Sequence, residues 1–330
     1  MKPSTAFPTV RTDRLCAVGG ILLLLLSAVS LFIGKYPLSL PLLLGGDEMQ
    51  LRVFLTLRLS RVLVGLIGGF ALGACGFVFQ TVFCNPLASP DIIGVSSGAS
   101  TGAAVGILFL SGSAAVMGCA FLGALIAVFT AIGLSFLDRS GNHSTIVLSG
   151  ISVHALAQTA LMCLKLTADP ERELASIEYW MMGSLNGITL AECGGNLVLC
   201  LVLCAILFLL HRQIILLSAE EGEARMLGMP VAGMRLAVLL TATLTVAAVI
   251  SQTGLISFIG LLAPHIARLL CGDNRRATML LGGICGGILL LAADIFARTA
   301  ATAELPVSIF TSLIGAPFLF RLIVRGRGTA

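Results

Sequence analysis

Charge is what this chain has least of. Only 11% of its 330 residues are Asp, Glu, Lys or Arg, against 57% hydrophobic residues, and mean hydropathy is +1.04. A soluble domain carries about 25% charge. Polar groups this sparse cannot cover a water-facing surface, so the bilayer has to be the solvent. No hydrophilic stretch is long enough for a sizeable soluble domain. A helical span needs roughly 20 apolar residues, so ten spans use ~200 and leave ~130 for loops and ends. Residues 1–330 therefore read as a single transmembrane domain. The net charge of +4 is a topology signal and no indication of nucleic-acid binding.

Signatures of catalysis and of resident cofactors are missing too. There is no GxxxxGK[ST] loop to cradle ATP, no HExxH and no GxSxG. The ten cysteines form no CxxC, and no His stands at ligand spacing from a Cys. Cys75, Cys119, Cys163, Cys200, Cys204 and Cys285 lie inside apolar runs and read as small core residues. Paired intramembrane carboxylates, expected in an ion-coupled carrier, are absent. Asp294 is the one acid deep in an apolar run, four residues before Arg298, which is the spacing of a neutralising pair on one helix face. No metal or other cofactor is expected on this chain, and any energy input must come from a partner.

What is present is glycine in apolar surroundings. Residues 58–106 are nearly free of charge after Arg61, dense in Gly and Ala, and interrupted once by Asn85–Asp91. Each glycine costs about 1 kcal/mol of helix stability relative to Ala, but small residues let membrane helices approach closely. Gly94, Gly98, Gly102 and Gly106 recur every fourth residue and predict one smooth packing face. The segment reads as two tightly packed membrane helices with a Pro-marked break between them.

Apolar runs predict helices near 15–34, 59–82, 92–110, 114–137, 145–166, 191–211, 231–250, 255–270, 277–298 and 306–324. Residues 1–14 are polar and basic, and the run after them is long enough to span, so an uncleaved first helix is expected. Ten helices place both termini on one side. With that side inside, thirteen Lys and Arg are inner (2, 11, 14, 139, 212, 225, 235, 268, 275, 276, 321, 325, 327) and seven are outer (35, 52, 58, 61, 165, 172, 298), the bias seen in membrane proteins. The scarce amphipathic rings Tyr36, Tyr179 and Trp180 fall at outer helix ends.

Arg58, Arg61 and Arg298 work against that bias. They read either as a cationic patch for an acidic docking partner or as snorkelling side chains. The inner loop 212–235 is polar and helix-forming, with Glu220, Glu221, Glu223 and Arg225 beside the apolar pair Met226–Leu227. It reads as a docking element or as a solvated connector. Proline ends the helix at Asn85–Pro90, where Asn85 satisfies freed backbone groups or lines a pore. His154 and Gln158 share a helix face and either line a pathway or pack.

Eight stretches in order, RLSR (58–61), GFALGACGFVFQ (69–80), NPLASPDIIGVSSGA (85–99), YWMMGSL (179–185), ARMLGMP (224–230), GLISFIGLLAPHIARLL (254–270), ADIFAR (293–298) and ELPVSIFTSLIGAPFLF (304–320), carry a resemblance. Over nearly its full length the chain resembles the permease subunits of FecCD-type ABC importers, which carry ferric siderophores, haem or vitamin B12. The resemblance implies an all-α, ten-transmembrane-helix bundle of the type II ABC importer permease kind in a bacterial or archaeal cytoplasmic membrane. It implies a dimer of two permease copies, a periplasmic or lipid-anchored substrate-binding protein, and two ATPase subunits that use ATP and Mg. Glu221, Ala224, Arg225, Leu227 and Gly228 match the loop that couples to the ATPase. Arg58, Arg61 and Arg298 match arginines that pair with glutamates of the binding protein, and Asn85, Leu87 and Ser144 match the cytoplasmic gate. Three positions depart from the family pattern: Ser60 stands where Pro is usual, Cys84 where a basic residue is frequent, and Ser308 where Gly is common. An ion-coupled secondary transporter or channel is the alternative from another class.

Overall fold

The computed structural model describes residues 9–137, 143–219, 221–272 and 276–326. Every predicted apolar run holds a helix there, and no strand occurs among the described residues. The first long helix is α1 (Thr9–Phe32). Two short helices follow, α2 (Leu40–Leu44) and α3 (Glu48–Val53), and then a π-helical turn, Phe54–Leu59, that runs without a break into α4 (Ser60–Val82). A 3₁₀ turn at Pro90–Ile93 precedes α5 (Val95–Phe109), and α6 (Ser113–Leu137) and α7 (His143–Thr167) come next. The second half comprises α8 (Glu173–Met181), α9 (Leu190–Leu209), α10 (His211–Leu216), α11 (Glu221–Met226), α12 (Val231–Thr253), α13 (Ile259–Cys271), α14 (Arg276–Thr299) and α15 (Val307–Gly326).

Seven of these helical stretches are long and apolar enough to cross a bilayer, and three shorter apolar helices, in α5, α13 and α15, accompany them. The 13 residues of α13 rise only about 20 Å at 1.5 Å each, short of a ~30 Å hydrocarbon core. Its predicted start at residue 255 is corrected to Ile259, because Gly254–Phe258 is not helical.

Glycine sets which helices touch. α4 lies along α14 and α13, and α5 lies along α6 and α7. The two glycine-rich helices on either side of the Asn85–Asp91 break are therefore not each other's close partners, as their sequence suggested. A methyl group on Gly73 would overlap the Gly282 carbonyl, and one on Gly98 would meet Gly123 and Ala127. Both seams bring backbone against backbone, which is the contact that binds helices where hydrophobic burial gives no advantage over lipid. Gly102 and Gly106 continue the α5–α6 seam against Cys119 and Val116. Gly94 does not belong to it. It has φ +83°, stands between the 3₁₀ turn and α5, and faces α7 at Gly150 and His154.

Candidate docking and coupling sites

At one end of the bundle the three singled-out arginines converge. Asp294 of α14 is the hub. Its Oδ1 accepts Arg61 Nε at 2.8 Å and its Oδ2 lies 3.0 Å from Arg298 Nη2. The Asp294–Arg298 pair thus forms as the spacing predicted, with Arg61 added across the α4–α14 seam. Arg61 Nη1 also donates to Glu304 Oε2 at 2.9 Å. Arg58 and Arg298 meet the last turn of α1, whose final carbonyls lack helical donors and carry the negative end of the helix dipole. Arg298 donates to Ser30 Oγ at 2.6 Å and to Ile33 O at 2.9 Å, and Arg58 donates to the same Ile33 O at 2.7 Å and to Tyr36 O at 3.1 Å.

All three arginines are buried: Arg58 is 7%, Arg61 6% and Arg298 2% exposed, and Asp294 is fully covered. They are not side chains reaching out to headgroups. Their charge is met inside the protein, by carboxylates and helix-end carbonyls, and that network clamps α1, α4 and α14 together. Ser60 joins it. Its hydroxyl donates to Thr56 O and Ile188 O, both at 2.8 Å, a bond to the chain before α9 that proline at this position cannot make. Ser308 likewise donates to Leu255 O at 2.6 Å, which glycine cannot do.

The same end carries Tyr36, Tyr179 and Trp180. A cavity of about 770 Å³ opens there beside Tyr179, Trp180, Asn186, Glu192 and Gln252. A smaller one, about 170 Å³, is bordered by Lys35, Tyr36, Arg58, Arg61, Asn186 and Glu304.

At the opposite end the Asn85 break and the 212–235 loop meet, with Cys84 Sγ 3.8 Å from Ser218 O. Asn85 closes its own turn: its Oδ1 accepts the Leu87 N–H at 2.9 Å, the Asx geometry that stands in for a backbone turn. Leu87 is exposed. Ser144 and Glu221 lie in the first turns of α7 and α11, and their side chains fall outside the described residues.

Helix α11 ends in a Schellman motif. Met229 N–H bonds back to Ala224 O at 3.2 Å and Gly228 N–H to Arg225 O at 2.9 Å. The motif needs a left-handed residue after the last turn, and Gly228 has φ +79°. Ala224 and Met229 are buried in the main core, which fastens this short element to the bundle. In consequence Met226 and Leu227 are held out, 81% and 70% exposed.

Several contributors were not singled out in the sequence. Glu304 and Ser30 complete the arginine cluster, and Gln80 and Arg268 hold α13 to α4. Gln80 Nε2 donates to Leu261 O at 3.1 Å and Arg268 Nη2 to Thr81 Oγ1 at 2.9 Å. Only Glu304 had a local signal, an acid six residues beyond Arg298. His154 is exposed on α7 and Gln158 is half-buried.

A bundle of apolar helices closed by glycine seams, with a clamped ion cluster at one end and a stapled, exposed turn at the other, is the architecture of a multi-pass membrane protein. The comparisons with known proteins agree. The profile of the FecCD transport family matches residues 22–325. A cobalamin import system permease from Halobacterium salinarum is 37% identical over 286 residues, covering 86% of this chain and 76% of the relative. A molybdate import system permease from Haemophilus influenzae is 33% identical over 320 residues, covering 92% and 93%. A solved metal-chelate type ABC transporter in an inward-facing conformation superposes with a TM-score of 0.85 at 31% identity, covering 95% of this chain and 99% of that one. The chain belongs to the FecCD transport family and is a permease of the ABC importer kind.

Proposed function

We propose that this permease is one of two identical membrane subunits of an importer powered by a separate pair of ATPase subunits. It moves a ferric siderophore, haem or cobalamin-like chelate across a bacterial or archaeal cytoplasmic membrane. The observation that carries the reading is the α11 turn. An exposed apolar pair at the end of a six-residue helix, fixed to the core by its Schellman closure, has the form of a rigid knob for a cleft in another protein. ATP and Mg bind to the partner, whose closure pushes on Glu221, Ala224, Arg225, Leu227 and Gly228. The motion passes into α12 and opens a gate at Asn85, Leu87 and Ser144 by rigid-body shifts of packed helices.

The Lys and Arg bias puts the α11 end and both termini in the cytoplasm. The Arg58–Arg61–Arg298 end then faces outward and receives the substrate-binding protein. Lipid surrounds the remaining apolar surface. Specificity rests with the binding protein, and this chain supplies a weakly polar conduit lined by small residues.

Reconstitution tests the reading. Proteoliposomes holding this chain, its ATPase subunit and its substrate-binding protein take up cargo only with internal ATP. Uptake by the permease alone under an ion gradient would overturn the proposal in favour of a secondary carrier.

A further inference from the structure

We propose that Glu304 is an internal placeholder: its carboxylate holds Arg61 until an acidic side chain of the substrate-binding protein displaces it. The inference rests on the docking role given above to the arginine end.

The two acids of the cluster are not equivalent. The Asp294 side chain is wholly buried between two arginines, while that of Glu304 is 23% exposed and reaches Arg61 from the rim. The Arg61 side chain is itself only 7% exposed. An incoming carboxylate thus reaches its guanidinium on the side where Glu304 sits. The cavity of about 170 Å³ beside Arg58, Arg61 and Glu304 has several times the ~30 Å³ volume of one water, enough for a carboxylate.

The charges favour such a guest. Lys35, Arg58, Arg61 and Arg298 gather around Asp294 and Glu304, which leaves a surplus of two positive charges. Arg58 has carbonyl partners and, among the described residues, no carboxylate of its own, and it is seated under Gly34, where any side chain would overlap its guanidinium. Glu304 also stands where it can leave. It lies on the connection between α14 and α15, next to the exposed residues Ala300–Ala303. That connection is fastened by Lys35 Nζ to Thr302 O at 2.5 Å and by Leu305 N–H to Ala297 O at 3.1 Å. On departure Arg61 keeps Asp294, so the helix clamp survives the exchange.

The test measures affinity of the full permease–ATPase complex, in nanodiscs, for its substrate-binding protein. Glu304→Gln removes the competitor and tightens binding about three- to tenfold, the scale of a half-exposed ion pair. Glu304→Asp, shorter but still charged, falls between, and decides the matter should Glu304→Gln lower the melting temperature. Glu48→Gln, an exposed acid that borders neither cavity, leaves affinity unchanged; an equal gain there overturns the inference, because net charge alone then accounts for it. Arg58→Ala weakens binding if the docking reading holds. If Arg58→Ala has no effect, the docking reading itself fails. If it weakens binding while both Glu304 variants match the wild type, only the placeholder fails.

Discussion

Arg61 and Asp294 stand 233 residues apart in sequence and meet at 2.8 Å, both buried, where α4 crosses α14. One end of the bundle hangs on that pair, because Asp294 also takes Arg298 and Arg298 takes the end of α1. Removing one member of a buried ion cluster leaves the others as uncompensated charges.

Asp294→Ala is expected to cost about 3–5 kcal/mol, with Asp294→Asn milder because it keeps two polar atoms near the guanidinium groups. Reversible unfolding in mixed micelles measures both. A loss below about 1 kcal/mol, the worth of a surface pair, would mean that the cluster is not a clamp.

Glycines of similar appearance should behave in opposite ways. Gly73→Ala forces a methyl group into the Gly282 backbone and should destabilise by about 1–3 kcal/mol as overpacking does. Gly118→Ala has nothing within 4 Å of the added carbon and should be neutral or stabilising by up to about 1 kcal/mol. Thermal melts in one detergent compare them directly.

The α11 turn separates coupling from folding. Met226→Ser with Leu227→Ser touches side chains that face outward. Stability should stay within about 0.5 kcal/mol, while transport-coupled ATP hydrolysis falls at least tenfold. Gly228→Ala places a Cβ at a left-handed position and should cost about 1–2 kcal/mol, with a partial loss of coupling. Normal ATPase stimulation by the Met226/Leu227 double variant would remove the turn from the power stroke.

Ser60→Ala deletes a hydroxyl that bonds to Thr56 and Ile188 carbonyls. The net worth of such bonds predicts a loss of about 1 kcal/mol. Hydrogen exchange at residues 186–190 should rise, since the link from α4 to that segment is gone. An unchanged exchange pattern would show that Ser60 carries no tertiary load.

The sequence by itself determined the solvent, the helices and the family. Hydropathy is a local property: a run of apolar residues has to satisfy its backbone groups internally in lipid, so each run became a helix whatever its neighbours. The tertiary structure alone decided the partners. Gly73 and Gly98 advertise smooth faces without saying which helix each one meets. Arg298 announces its bond to Asp294 four residues away, but Arg58 and Arg61 look like outward charges until Asp294, Glu304 and the end of α1 arrive from distant parts of the chain to bury them. Pairing of this kind is set by where whole helices come to rest, and no nearby residue records it.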